Sequence, residues 1–411
     1  MDRRNFLALS AAGFVGAGAA PGFGWTQELA PLADAPPPIG RAEREARIAK
    51  AQKLMRELGF VALLVEPGSS LIYFTGVRWS RSERLTCALI PADGEVCIVT
   101  PYFEEPSVRE SLGVNAEVRT WQEHEDATAI VAGWLKDRKL GSAAVGIEET
   151  NRYFIVDGLK KNLPTATLKN GAPVVRGCRM IKTAPEIALM QRASDITIAA
   201  YKATIPKIEA GMRPQDIGAM MNRATAALGG EPEFELILLG EASAYPHGSG
   251  KPQAVKPGEV VLMDCGCTFR GYQSDISRTF VFGEATARQR KVWNEMKRGQ
   301  ELAFAAAKLG ATCHSVDASA RDYYVSLGYG PDYKLPGLSH RTGHGIGMDG
   351  HEPVNLVRGE MTKLAPGMCF SDEPGIYIPG EFGIRLEDCF HMTETGPKWF
   401  SQPSVSIERP V

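Results

Sequence analysis

The sequence predicts a two-domain α/β protein, α+β in its second half, and three observations carry that expectation. Its 411 residues exceed what one ordinary hydrophobic core holds together. From about residue 41 helical and strand patterns alternate along the chain, as layered α/β architectures require. Five of the seven histidines lie beyond residue 313 and a sixth is His247, so the second half is where chemistry is expected. Composition narrows the partners. An apolar content of 44% suits packed interiors, and 46 Lys+Arg against 48 Asp+Glu leaves a net charge of -2, so neither disorder nor nucleic-acid binding is expected. Beyond the N-terminus no apolar run approaches the roughly 20 residues of a membrane helix, so no span is expected once that segment is removed.

The elements follow in order. Arg3-Arg4-Asn5-Phe6-Leu7 opens the chain as a twin-arginine signal does, followed by an apolar stretch from Phe6 to Ala20 and a small-residue cleavage site at Ala17-Gly18-Ala19. Residues 1–25 are therefore expected to direct export of the folded, metal-loaded protein to the periplasm or the cell exterior. Residues 26–40, with Pro36, Pro37 and Pro38 in succession, read as a linker. A first domain spans 41–175. In it, Ala42 to Leu58 is a helix stopped by Gly59, and Val61 to Val65 is a buried strand. Cys87 to Ile90 and Glu95 to Thr100 form a hairpin around Ala92-Asp93-Gly94. Ala127 to Lys139 is a helix and Ala143 to Ile147 a strand. Its lone histidine, His124, has no ligand-like neighbours and reads as solvated or hydrogen-bonded.

The second domain spans 176–411. Thr183-Ala184-Pro185-Glu186 is a capping box with proline in the first turn, and Ile187, Met190, Ser194, Ile198, Tyr201 and Ile205 continue at helical spacing. A second helix runs from about Arg213 to Leu228. Strands are expected at Phe234 to Leu239, Val260 to Thr268 and Tyr272 to Phe282, then helices at Thr286 to Leu309 and His314 to Leu327. Strands near Met368 to Glu373 and Ile384 to Met392 close the chain. The eight cysteines include no CxxC; their even number permits disulfides in an exported protein, while Cys265 and Cys267 read as small buried hydrophobes.

Two carboxylate pairs stand out. Asp264 lies in the middle of an apolar strand, where its charge is costly unless compensated. With a turn centred at Phe269–Arg270, Asp264 and Asp275 would face each other directly, their Cβ atoms about 5 Å apart. Glu373 and Glu387 repeat the arrangement across a hairpin centred on Gly380. Between them the segment 340–351 reads His-Arg-Thr-Gly-His-Gly-Ile-Gly-Met-Asp-Gly-His, supplying nitrogen ligands or proton carriers on a backbone that approaches closely. Four carboxylates and one imidazole are a hard, oxygen-rich set. Two divalent cations would cancel the four charges and acidify a bridging water into a nucleophile.

With these motifs the chain resembles the creatinase/aminopeptidase P/prolidase family, the pita-bread metallopeptidases. The resemblance implies an N-terminal creatinase-like α/β domain followed by a pita-bread catalytic domain. Asp264, Asp275, His344 in Thr-Gly-His-Gly-Ile-Gly, Glu373 in Asp-Glu-Pro-Gly and Glu387 in Arg-Leu-Glu-Asp match the five metal positions. His247 in Tyr-Pro-His-Gly and His351 in Gly-His-Glu-Pro match the non-ligand catalytic histidines, and Arg179-Met180-Ile181-Lys182 looks like the lead-in to the catalytic domain. The implied reaction is hydrolysis of the peptide bond before proline by a hydroxide bridging two metal ions. Glu373 would carry the proton to the leaving nitrogen, and His247 and His351 would stabilise the oxyanion. His340, Arg385 and Tyr377 are grouped on the substrate side. Arg385 and Tyr377 would orient carboxylates, and His340 would support them or touch substrate. His314 and His391 are expected to be structural. Manganese fits the oxygen-rich set best, with zinc, cobalt or iron as alternatives.

Departures from the family pattern are Arg341 after His340 and Val354 after His-Glu-Pro. Proline-containing dipeptides or peptides are the expected partners, together with a second copy of the chain, towards which Trp79 would reach. Xaa-Pro dipeptidase and Xaa-Pro aminopeptidase both fit, and Arg341 and Arg358 are the candidate readers of a substrate carboxylate, or simply solvated arginines. A lyase or amidinohydrolase on the same scaffold is the alternative, and a non-catalytic peptide-binding module fits less well because no ligand is missing.

Overall fold

The structure is a computed structural model and describes residues 23–411. The expected export signal therefore lies almost wholly outside the described residues. The segment expected as a linker is docked on the second half. A short 3-10 helix, Phe23–Glu28, precedes Leu29 and Leu32, and Trp25, Leu29 and Leu32 pack against the core of the second half. Leu32 N donates to Leu228 O at 3.2 Å, which ties the segment to the end of a catalytic-domain helix.

In the first half, β1 (Ala62–Val65), β2 (Cys87–Pro91), β3 (Val96–Pro101), β4 (Ala116–Trp121), β5 (Ala144–Ile147) and β6 (Thr167–Asn170) make one sheet in the order β4-β3-β2-β1-β5-β6. The hairpin expected at β2 and β3 forms, and β1 pairs antiparallel with β2 and parallel with β5. Alternate side chains go to opposite faces. Leu63, Val65, Ala88 and Ile90 join Ala51 and Met55 of the helix Arg41–Leu58. Ala62, Leu64, Cys87 and Leu89 join Val131 and Leu135 of Ala127–Asp137. Both faces are thus helix-covered, and for this reason the central strands read as unbroken apolar runs. Strands β4 and β6 and the helices Ser69–Thr75, Glu105–Ser111, Tyr153–Asn162 and Ala172–Arg179 were not expected. They are short, and β6 is largely exposed, so neither carries an apolar period long enough to read.

The second half opens with the expected capping box: Thr183 N donates to Glu186 Oε2 at 2.8 Å at the start of Ala184–Thr204. Glu186 also joins the two halves, accepting from Tyr272 OH at 2.8 Å and pairing with Arg47 at 3.2 Å. Strands β7 (Glu231–Leu239), β8 (Val260–Phe269), β9 (Tyr272–Gln273) and β10 (Ile276–Val281) form an antiparallel sheet beneath Ala184–Thr204 and Pro214–Ala227. A second sheet, β12-β11-β13-β16-β17, is built from β11 (Gly343–Gly345), β12 (Glu352–Leu356), β13 (Cys369–Asp372), β16 (Asp388–Thr393) and β17 (Gly396–Trp399). The hairpin of β14 (Gly375–Ile378) and β15 (Phe382–Arg385) projects from it, and Ala287–Ala306 and Cys313–Ser326 cover it. No helix of the described residues is long and apolar enough to cross a membrane.

Two register expectations had different outcomes. Pairs Gly375↔Arg385 and Asp372↔Asp388 share one register, centred on Gly380 with φ of 81°, which brackets Glu373 and Glu387. Their side chains come within 4.8 Å, while their backbones bond to Thr342 and Ser277 rather than to each other. The β8 hairpin turns one residue later than expected. Phe269 pairs with Tyr272, leaving Arg270 and Gly271 as a two-residue turn with φ of 51° and 86°. Two positive φ values in succession require a glycine in the pair, and it is Gly271 that places the turn. Asp264 consequently lies opposite Ser277, and Asp275 occupies the gap between β9 and β10. The disulfides that the cysteine count permits are not formed: all eight cysteines are free and buried, and Cys265 and Cys267 sit in the core.

Candidate metal centre

Two strands and three inter-strand junctions converge where the two sheets of the second half meet. Asp264 comes from the middle of β8, Asp275 from the break before β10, His344 from β11, and Glu373 and Glu387 from the junctions on either side of the β14–β15 hairpin. Ligand atoms of Asp264, Asp275 and Glu387 lie within 4.8 Å of one another, and so do those of His344, Glu373 and Glu387. The one-residue shift of the first hairpin therefore changes which residues pair but not which carboxylates meet. His344 Nε2 stands 3.3 Å from Glu373 Oε1 and 3.5 Å from Asp275 Oδ2. Its Nδ1 lies 3.0 Å from Gly345 O, which a ring N–H can satisfy, leaving the Nε2 lone pair aimed at the carboxylates.

The electrostatics of this cluster demand a counter-charge. Burial, then Asp264 and Glu373, raise the Asp275 carboxyl well above the usual range, and burial with Asp275 does the same to Glu387. Burial pushes Glu373 up to about 7 against the opposing pull of Arg385. Burial and the adjacent His351 keep His344 neutral, as a ligand must be. Asp264 Oδ1 and Glu387 Oε1 are buried with no hydrogen-bond partner. Buried polar atoms are ordinarily satisfied, so stranded carboxylate oxygens beside a neutral imidazole fit divalent cations in chemistry and in charge.

Supporting contacts surround the cluster. Arg385 Nη2 donates to Asp264 Oδ2 at 2.6 Å, and its Nη1 donates to Tyr377 OH at 3.2 Å. Tyr377 OH lies 2.8 Å from His340 Nε2, and His340 Nδ1 lies 2.7 Å from Arg341 O, so the tyrosine donates onward to a neutral imidazole. Burial, aided by Arg385, lowers His340 to about 3. Tyr377 is fully enclosed and Arg385 nearly so, which gives both a place behind the carboxylates rather than against substrate. His247 is exposed beside a cleft of about 370 Å³ lined also by Glu235, Leu236 and Leu238, and it acts electrostatically on both His340 and His351.

His351 is exposed, with its ring centroid 4.3 Å from that of His344, and its ligand atom groups with those of Asp275 and His344 within 4.8 Å. Arg341 stands 4.0 Å from Glu373, whereas Arg358 is engaged by Asp332 at 2.6 Å on the surface. Trp79 is half-buried against the local core, and His314 Nδ1 accepts from Gly359 N. Sequence reasoning missed Ser277 and Ser371. Ser277 Oγ donates to Glu387 Oε2 at 2.8 Å, and Ser371 Oγ accepts from His344 N at 3.0 Å. Each lies two residues from a candidate ligand, Ser277 from Asp275 and Ser371 from Glu373, which is the one signal that points to it.

Comparison with known proteins agrees with this geometry. The pattern of metallopeptidase family M24 matches residues 188–394, and that of the creatinase/prolidase N-terminal domain matches residues 47–181. The chain belongs to metallopeptidase family M24. It is therefore a hydrolase with a creatinase-type N-terminal α/β domain and a pita-bread catalytic domain, and all five expected ligands fall inside the family match. Among its relatives is the probable dipeptidase PepE of Mycobacterium tuberculosis, 32% identical over 85% of this chain and 92% of that protein. The Xaa-Pro dipeptidase of Pyrococcus furiosus is 31% identical over 86% of this chain and 96% of that protein. The crystal structure of dipeptidase PepE from Mycobacterium ulcerans superposes with a TM-score of 0.82 at 30% identity, covering 89% of this chain and 97% of that one.

Proposed function

We propose that this M24 enzyme cleaves the peptide bond preceding proline in short peptides, using two divalent cations, manganese foremost, held by Asp264, Asp275, His344, Glu373 and Glu387. The convergence of those five donors, with two buried carboxylate oxygens left unpartnered, carries the reading. Relatives described as dipeptidases and Xaa-Pro dipeptidases support the substrate class. When bound, the cations supply Lewis acidity for the scissile carbonyl and an acidified shared water.

The chain's own groups perform the rest. Glu373 would take a proton and pass it to the imino nitrogen of the leaving proline. His351, grouped with Asp275 and His344, and His247, which acts electrostatically on His351, would donate to the oxyanion that develops. Arg385 and Tyr377 hold Asp264 and His340 in register from behind. Arg341 is better placed than Arg358 to read a substrate carboxylate, which favours dipeptides.

The test is a panel of Xaa-Pro dipeptides, Xaa-Pro-containing tripeptides and longer peptides, and matched peptides without proline, assayed after metal repletion. Cleavage confined to Xaa-Pro dipeptides is the expected result. Full metal content with no cleavage of any Xaa-Pro peptide would defeat the proposal. Export directed by Arg3-Arg4 and a dimeric state belong to the same proposal.

Metal uptake should also release protons. In the metal-free protein burial raises the proton affinity of Asp275, Glu373 and Glu387 above the usual carboxylate range, and an entering cation competes with those protons. Apparent affinity is therefore expected to rise with pH. Titration calorimetry at pH 7 in two buffers of different protonation enthalpy should give different heats; equal heats would contradict the prediction.

A further inference from the structure

His351 ends a glycine-rich loop whose shape is set from outside the metal centre. The Glu352 carboxylate lies inside the curl of that loop. Its Oε1 accepts from Met348 N at 3.0 Å and Asp349 N at 3.3 Å, and its Oε2 accepts from Lys182 Nζ at 2.8 Å. A Cβ at Gly347 would stand 2.7 Å from Lys182 Cε and 2.8 Å from Glu352 Oε1, so a side chain there would displace this ion pair. On the outer side, Asp349 Oδ1 accepts from Ser69 Oγ at 2.5 Å and Oδ2 from Arg179 Nη2 at 2.7 Å. The same Nη2 reaches Glu352 Oε1 at 2.5 Å, while Nη1 donates to Ser70 Oγ at 3.1 Å. Ser69 and Ser70 open the helix Ser69–Thr75 of the N-terminal domain.

One guanidinium and one serine hydroxyl thus clasp the loop to the other domain. Side-chain packing does little of this work around Asp349. It borders two cavities, of about 510 and 370 Å³, that it shares with Arg179 and Glu148, and His351 lines the smaller one. Where open space flanks a loop, polar tethers rather than packing decide where its side chains stand. We infer that Asp349, bridged to Ser69 and Arg179, is a positioning residue that sets the place of His351 and makes the N-terminal domain part of the catalytic apparatus. The inference rests on the catalytic reading of His351.

A double-mutant cycle tests it, using the full chain loaded with manganese and an Xaa-Pro dipeptide. Asp349→Ala, Asp349→Asn and Ser69→Ala are each combined with His351→Ala. Asp349→Ala should lower kcat about 10- to 100-fold, the scale of a misplaced catalytic group, while leaving KM and metal content nearly unchanged. Asp349→Asn, which keeps an acceptor for Ser69, should recover part of the loss. In the His351→Ala background the Asp349→Ala loss should vanish, because the group it positions is gone. Additive losses, an unchanged kcat, or metal lost in step with activity would each overturn the inference. If Asp349→Ala does not fold, Ser69→Ala removes one hydroxyl and runs the same cycle with a smaller loss. If His351→Ala alone leaves kcat intact, the reading of His351 fails and this inference with it. A full His351 effect with additive Asp349 loss overturns the inference alone.

Discussion

Replacing Asp264 or Glu387 with alanine is expected to remove bound metal and hydrolysis together, with a fall in kcat on the order of 1,000-fold or more. The expectation comes from charge as much as from lost coordination. Four carboxylates share a site in which burial already raises the proton affinity of three of them, and on the proposed reading two cations complete the set only when all four are present. Glu387 is the cleaner test. Its backbone pairs with Ser277 in both directions, at 3.1 and 3.3 Å, and those bonds survive truncation, so the variant should fold with its site emptied. Asp264→Ala also releases Arg385 Nη2 from its 2.6 Å partner, leaving a buried guanidinium facing the position where a cation would sit. Elemental analysis of the purified variants alongside kcat decides the matter. Either variant active at normal metal content would end the two-metal assignment.

His344 and His351 are expected to fail in different ways. Proximity does not separate them, because both have ring nitrogens near Asp275. Environment does. His344 is enclosed, with one nitrogen taken by Gly345 O and the other directed at Glu373, so His344→Ala should weaken metal binding. His351 is exposed and lines a cavity, with its basicity lowered by burial and by Arg341, so it can serve as a neutral donor to charge that appears during the reaction. His351→Ala should keep its metal and lose on the order of 100-fold in kcat, with a smaller change in KM. Metal stoichiometry measured beside the kinetics distinguishes the two cases. Loss of metal from His351→Ala would make it a ligand.

How far the site was legible depended on whether local chemistry or distant contacts placed each residue. The Glu373–Glu387 register was readable because a single glycine, Gly380, supplies the positive φ that centres the hairpin. The Asp264–Asp275 register was misplaced by one residue because Arg270 adopts a positive φ next to Gly271, which only the observed turn reveals. Ser277 and Ser371 were overlooked since a serine on a buried strand carries no pattern of its own. The clasp of Ser69, Arg179 and Asp349 joins positions up to 280 apart in the chain, and nothing near any of them announces the others.

What the sequence determined by itself is the five residues of the candidate metal set, the capping box at Thr183, the central strands of the first sheet and the gathering of the candidate site in the second half. These follow from residue types at short spacing, where the period of a strand or helix dictates who shares a face. Only the tertiary structure decided that the segment before residue 40 docks on the catalytic domain, that Arg385 answers Asp264, and that all eight cysteines are buried and unpaired. It also decided that Tyr377 stands behind the carboxylates and that the His351 loop is bonded to Ser69 of the N-terminal domain and to Arg179. The physical reason is common to all of them. Desolvation and pairing of a charge depend on which side chains the fold brings within a few ångströms, and that distance is a property of packed sheets and helices, not of separation along the chain.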